Sequence, residues 1–173
     1  MMNESTSHAT EPGLDTEPSP DARPGYSPDE IDTGADTRAA RLKWVIVVDS
    51  ELPAGRAANA VACVAAATGQ AIEGLLGPSG ADAAEHAHPG LPWAGCTLLG
   101  ATAERLANTR AKALAAADVW LADMPLSAQT TRVYDDYLAA LAATAPDALA
   151  PLALSLVGPR PTIDSLVKKL RLL

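Results

Sequence analysis

Past residue 40 the chain alternates between short continuous apolar runs and longer stretches whose apolar positions recur three and four apart. Lys43-Trp44-Val45-Ile46-Val47-Val48 is an uninterrupted β-branched run, the pattern of a strand buried on both faces. Pro53-Ala54-Gly55 opens an alanine-rich helix with Ala57, Val61, Val64 and Thr68 along one side and Gly69 as its stop. Gly95 to Ala101 is a second buried strand. Thr102 caps a helix from about Ala103 to Ala117, with Glu104 at its positive end and Leu106, Thr109, Ala113 and Ala117 facing inward. Asp118 to Met124 is a third strand. The helix after Pro125 to Ser127 carries Val133, Tyr137, Leu138 and Leu141, with Pro146 beyond its end. Pro151 to Val157 is a fourth strand, Gly158-Pro159-Arg160-Pro161 turns the chain, and Thr162 caps a last helix of Ile163, Leu166, Val167 and Leu170. Between residues 70 and 94 glycines and prolines break every period, leaving room only for short helical pieces such as Ala71 to Leu76 and Ala81 to His86.

Strands alternating with helices predict a three-layer α/β/α domain over residues 41–173, with a mixed, mostly parallel four-stranded sheet, because parallel neighbours need crossover connections. Small alanines on the inner helix faces let the helices approach the sheet in a core that has no phenylalanine.

Charge separates this domain from what precedes it. The 173-residue chain has a net charge of -8, but residues 1–40 hold 9 Asp/Glu against 2 Lys/Arg, whereas residues 41–173 hold 12 against 11. The first forty residues also contain five prolines and almost no large aliphatic side chain, so they are expected to be a disordered acidic tail, dispensable for folding. They have neither the basic start and apolar run of a secretory leader nor the basic character of a transit peptide, which predicts a cytoplasmic protein. The longest apolar run, Ala57 to Thr68, contains Asn59 and falls short of the roughly 20 residues of a membrane span.

Several chemistries are excluded by pattern. Cys63 and Cys96 stand 33 residues apart with no second pair, so there is no CxxC motif and no four-ligand zinc framework, and both are expected to be small buried apolar residues. Gly74, Gly77 and Gly80 are not followed by Lys-Ser/Thr, and neither GxGxxG nor GxSxG occurs. Glu85-His86-Ala87-His88, with Asp82 upstream, is the one cluster of metal-ligand types; on an extended loop its two imidazoles would point to opposite sides, so no metal is expected. The richest polar constellation surrounds the first strand: Lys43 begins it, Asp49 and Glu51 follow it, and Gly55, Arg56 and Asn59 start the next helix. In open α/β sheets ligands favour the crevice beyond the carboxyl ends of strands, and a helix N-terminus there attracts anions.

The segment Lys43 to Gly55, with its hydrophobic strand and Glu51-Leu52 pair, resembles the N-terminal signature of type II peptidyl-tRNA hydrolases. The C-terminal strand, Gly158-Pro159, helix and Leu-rich finish resemble the end of that family. The middle is similar instead to the family called domain of unknown function number two thousand, through Leu52, Pro53, Gly55 and Asn59, through His88-Pro89-Gly90, and through the helix bearing Tyr134 and Tyr137. The resemblance implies a peptidyl-tRNA hydrolase II-like fold. Carried over by position, Lys43 matches the hydrolase lysine and Glu51 stands at its aspartate. The helix histidine falls on Ala65, or on Cys63 with a shift of two, and Asp123 and Ser127 stand in the Asp-Ala-Gly-x-Thr segment. These matches imply an ester hydrolase in which Lys43 stabilises an anionic intermediate and Glu51 or Asp49 orients water, with a small acyl substrate favoured over tRNA. The only basic cluster is Lys168, Lys169 and Arg171 in a nearly neutral domain. The alternative is a noncatalytic module in which Gly55, Arg56 and Asn59 hold a small anionic ligand or meet a protein partner. Neither reading calls for a cofactor, and some of the resembled hydrolases are dimers, so a homodimer is an expectation as well.

Overall fold

The computed structural model describes residues 24–173. Among them the strands are β1 (Leu42–Asp49), β2 (Gly80–Ala81), β3 (Ala87–His88), β4 (Thr97–Ala101), β5 (Trp120–Pro125), β6 (Pro151–Pro159) and β7 (Arg171–Leu172). The helices are α1 (Ala54–Ala71), α2 (Ala103–Leu114), α3 (Leu126–Thr130), α4 (Tyr134–Ala143) and α5 (Arg160–Val167). Two 3-10 turns, Pro28–Glu30 and Thr37–Ala39, precede β1. The main sheet is mixed and has five strands in the order β5-β6-β1-β4-β7.

The four-stranded, mostly parallel sheet expected from the pattern is therefore corrected on both counts. β1 and β4 pair in parallel, but β6 is antiparallel to both β1 and β5, and β7 is antiparallel to β4. The fifth strand is only two residues long, too short to show a period, and lies in the Leu-rich finish just past Leu170, the last position of the expected helix. β6 reverses because the connection from β5 is not one long crossover helix. It breaks into α3 and α4, which pack on each other, and the chain returns to the end of the sheet that it left, with Pro125 opposite Pro151.

The continuous apolar run of β1 is explained by its central place: its odd and even positions enter different cores. Trp44, Ile46 and Val48 pack with Ala60 and Val64 of α1, whereas Val45 and Val47 pack with Leu106 and Ala113 of α2 and Ile163 and Val167 of α5. Helices thus cover both faces of the sheet. Three smaller differences have local causes. α1 continues past Gly69 to Ala71, because nothing in the φ of Gly69 imposes a stop. α5 starts at Arg160 with Pro161 in its first turn, so the Thr162 hydroxyl, freed from capping, donates to Asp118 Oδ2 at 2.8 Å. Residues 80–88 form the β2–β3 hairpin, not a helix, with Glu85 in the left-handed region at φ 63°. Cys63 and Cys96, expected inside, are both exposed.

The expected tail is also corrected, over residues 24–40. Tyr26 is 4% exposed, its ring lies 4.9 Å from that of Trp93, and its hydroxyl donates to Leu42 O at 3.1 Å. Burial raises its phenol pKa. The backbone of Gly25 runs so close to Glu73 that a Cβ there would stand 2.4 Å from Glu73 O, which only glycine allows. One aromatic side chain docked into a preformed pocket outweighs the polar composition around it. Residues 1–23 of the tail lie outside the described residues.

Candidate functional site

Lys43 is the second residue of β1 and Asp49 its last. Six strand residues at about 3.3 Å each put about 20 Å between them, so the lysine and the carboxylates expected to act with it stand at opposite ends of the sheet. The pairing of Lys43 with Gly158 places it beside the start of α5, where its Nζ meets Asp164 Oδ1. At the other end Asp49 Oδ1 accepts from Glu51 N at 3.0 Å, which uses the aspartate to brace the turn and leaves Glu51 exposed. The grouping of Lys43 with Asp49 and Glu51 does not form one site.

Gly55, Arg56 and Asn59 do come together on the first turns of α1, with a partner that the pattern did not single out. Gln129 of α3 accepts from Arg56 Nε at 2.8 Å and donates to Arg56 O at 2.8 Å and Asn59 Oδ1 at 3.1 Å. The cluster clamps α3 onto α1, and space beside Gly55 is open. Its only signal in the sequence is an amide in a stretch whose pattern runs on into α4.

Lys43 has a different set of neighbours. It lines a cavity of about 340 Å³ together with Arg38, Thr37, Cys96, Thr97 and Arg160. Each arrives on a separate segment: Thr37 and Arg38 on the second 3-10 turn, Thr97 at the start of β4, Arg160 at the start of α5. Arg160 is oriented by a hydrogen bond from one terminal nitrogen to Ala40 O at 3.3 Å. Among the described residues the cavity wall includes no carboxylate and no imidazole. Desolvation pushes the Cys96 thiol up to about 11 although the residue as a whole is exposed, so the sulfur is held as the neutral thiol near pH 7 and is not activated. Three cations converge here, and among the described residues only Lys43 of the three is paired with a carboxylate.

The other basic residues and the histidines lie elsewhere. Lys169 and Arg171 line a separate cleft of about 360 Å³ with Arg105 and Ser50, at the Asp49 end. In the β2–β3 hairpin Asp82 Oδ2 is 3.1 Å from His86 Nδ1 and 3.7 Å from His88 Nε2, all exposed. Hydrogen bonds from the backbone N–H and then the ring of His86 lower the Asp82 pKa. No group of three His, Cys, Asp or Glu among the described residues is arranged to hold a metal ion, and none of their helices is long and apolar enough to cross a membrane.

No functionally curated protein matches this chain. A solved structure of a protein of unknown function from Agrobacterium tumefaciens has the same fold, with a TM-score of 0.70 at 16% identity, over 77% of this chain and 98% of that one. A family model described as "Protein of unknown function (DUF2000)" matches residues 42–173, which span β1 to β7, and the chain belongs to that family.

Proposed function

We propose that the domain is a noncatalytic module that binds a small anionic ligand, held by Arg38, Lys43 and Arg160. The observation that supports this reading is one cavity with three converging cations and, among the described residues, no base or activated nucleophile in its wall. Two guanidinium forks suit the paired oxygens of a carboxylate or phosphate, and the ammonium adds a point charge. A cavity of about 340 Å³ is of the size that takes a small molecule, which favours a small anion over a tRNA. We read the fold as akin to that of type II peptidyl-tRNA hydrolases on the strength of the Lys43 to Gly55 and C-terminal segments. The ester-hydrolase reading would need a water-orienting group near Lys43, and Glu51 and Asp49 are a strand's length away.

Thermal shift and calorimetric titration with inorganic phosphate, pyrophosphate and a small dicarboxylate test the proposal on wild type, Arg38→Ala, Lys43→Ala and Arg160→Gln. A ligand present at 100 times its Kd stabilises by about 2.7 kcal/mol, a readily measured rise in Tm. Wild type responds to at least one anion and the variants respond less. Equal responses in all four, or none, defeat the cavity. Turnover of aminoacyl esters that is lost in Glu51→Gln restores the hydrolase.

A further inference from the structure

A second cavity, chemically unlike the first, lies between α1, β5 and α4. None of the side chains of α4 is fully buried; the helix packs chiefly on α3, with Tyr134 72% exposed. The resulting groove has a volume of about 510 Å³, within the range of small-molecule sites. Its depth comes from residue size, since Ala66 and Ala67 of α1, Ala122 of β5 and Ala128 of α3 leave open the space larger side chains would occupy. Met124 lines it, and Tyr134 and Tyr137 form its outer wall with ring centroids 5.4 Å apart at 66°, an edge-to-face pair that presents aromatic surface to a third ring. The only charged residue of the wall among the described residues is Asp123, and Arg110 Nε occupies its Oδ2, so the pair carries no net charge. Desolvation, and after it the neighbouring Tyr134, raise the Tyr137 pKa, keeping its hydroxyl a neutral donor and acceptor.

We infer that this groove binds a neutral aromatic small molecule, its ring between the α1 alanines and the tyrosine pair, and a polar substituent directed to the Tyr137 hydroxyl. Neutrality follows from the compensated Asp123, because a charged ring system would leave water without an opposite charge to meet it. The aromatic class follows from the tyrosine pair and the Met124 thioether, both of which favour contact with π-systems.

The test uses the full chain and the neutral fluorescent probe N-phenyl-1-naphthylamine. Wild type gives a saturable fluorescence rise at one probe per chain with a Kd below about 100 µM, near the weak end of specific binding. Ala67 is exposed on α1, so Ala67→Phe fills the groove without entering the core, and Tyr137→Ala opens its wall without removing a buried side chain. Each weakens probe binding at least about tenfold, equivalent to about 1.4 kcal/mol. Arg160→Gln leaves it unchanged, which separates this groove from the anion cavity. In a Cys96→Ser background, saturating probe slows alkylation of Cys63, which lines the groove. Non-saturable binding, or binding indifferent to both groove variants, overturns the inference. So does light scattering showing a dimer that Ala67→Phe dissociates, which would assign the groove to a second copy of the chain.

Discussion

The indole Nε1 of Trp44 donates to the hydroxyl of Ser155 at 2.8 Å, joining the central strand to its antiparallel neighbour through the interior of the sheet's α1 face. Ser155 Oγ lies 2.6 Å from Thr68 Oγ1, and Thr68 Oγ1 is 2.7 Å from Val64 O, so a buried polar chain runs from β1 through β6 into α1. No buried side-chain nitrogen or oxygen among the described residues lacks a partner. Ser155→Ala leaves the indole N–H and the Thr68 hydroxyl without their shared partner. It costs about 1–3 kcal/mol by urea denaturation, while Trp44→Phe costs more because volume is lost too. A Ser155→Ala variant as stable as wild type would show that the chain contributes nothing net.

Tyr26 makes the residues before β1 part of the folded unit. Tyr26→Ala removes a buried ring and its bond to Leu42 O, a loss of about 3 kcal/mol. Truncation to residue 38 lowers Tm by a comparable amount, read by calorimetry. An unchanged Tm in both would mean that the segment does not hold the core.

Glu30 gives stability a pH signature. Its bonds to Arg41 and to the Ser27 backbone hold its pKa at about 2 against an ordinary 4.5. A carboxylate with a lowered folded-state pKa contributes fully above the unfolded value and loses that contribution as pH falls from about 4.5 toward about 2. Wild type therefore loses stability through this window more steeply than Glu30→Gln, and parallel acid titration curves would contradict the assignment.

Asp164 competes for Lys43 with any bound anion. Asp164→Asn frees the ammonium, so anion affinity at the Lys43 cavity rises several-fold. Stability without ligand changes little, because Asp164 is about half exposed and an ion pair with one partner in solvent contributes about 0–1 kcal/mol. Weaker anion binding in this variant would place the ligand elsewhere.

Gln129 is the hydrogen-bonding hub between α3 and α1. Gln129→Ala removes three exposed bonds and costs at most about 1 kcal/mol globally, but speeds amide exchange in α3, which has no buried residue of its own. Unchanged exchange in residues 126–130 would show that α3 is held by other contacts.

The amino-acid sequence by itself determined the α/β alternation and the central strand, because the β-branched run up to Val48 is apolar at consecutive positions and so must be buried on both faces. It also determined the position of α1 and α2, whose buried residues recur at helical spacing. Strand direction was beyond it: β6 reads the same in either orientation, and its reversal depends on α3 and α4 folding back on each other. So was the fate of Lys43. Along the chain the lysine lies six residues from Asp49, a short distance on paper, yet an extended strand makes it the longest separation six residues can have. Its actual neighbours, Arg38 and Arg160, are brought in by a 3-10 turn and by the antiparallel register of Lys43 with Gly158. Tyr26 was hidden for a related reason: composition averages over forty residues, whereas one ring needs only one pocket, and that pocket exists only once β1, the Glu73 segment and Trp93 have assembled.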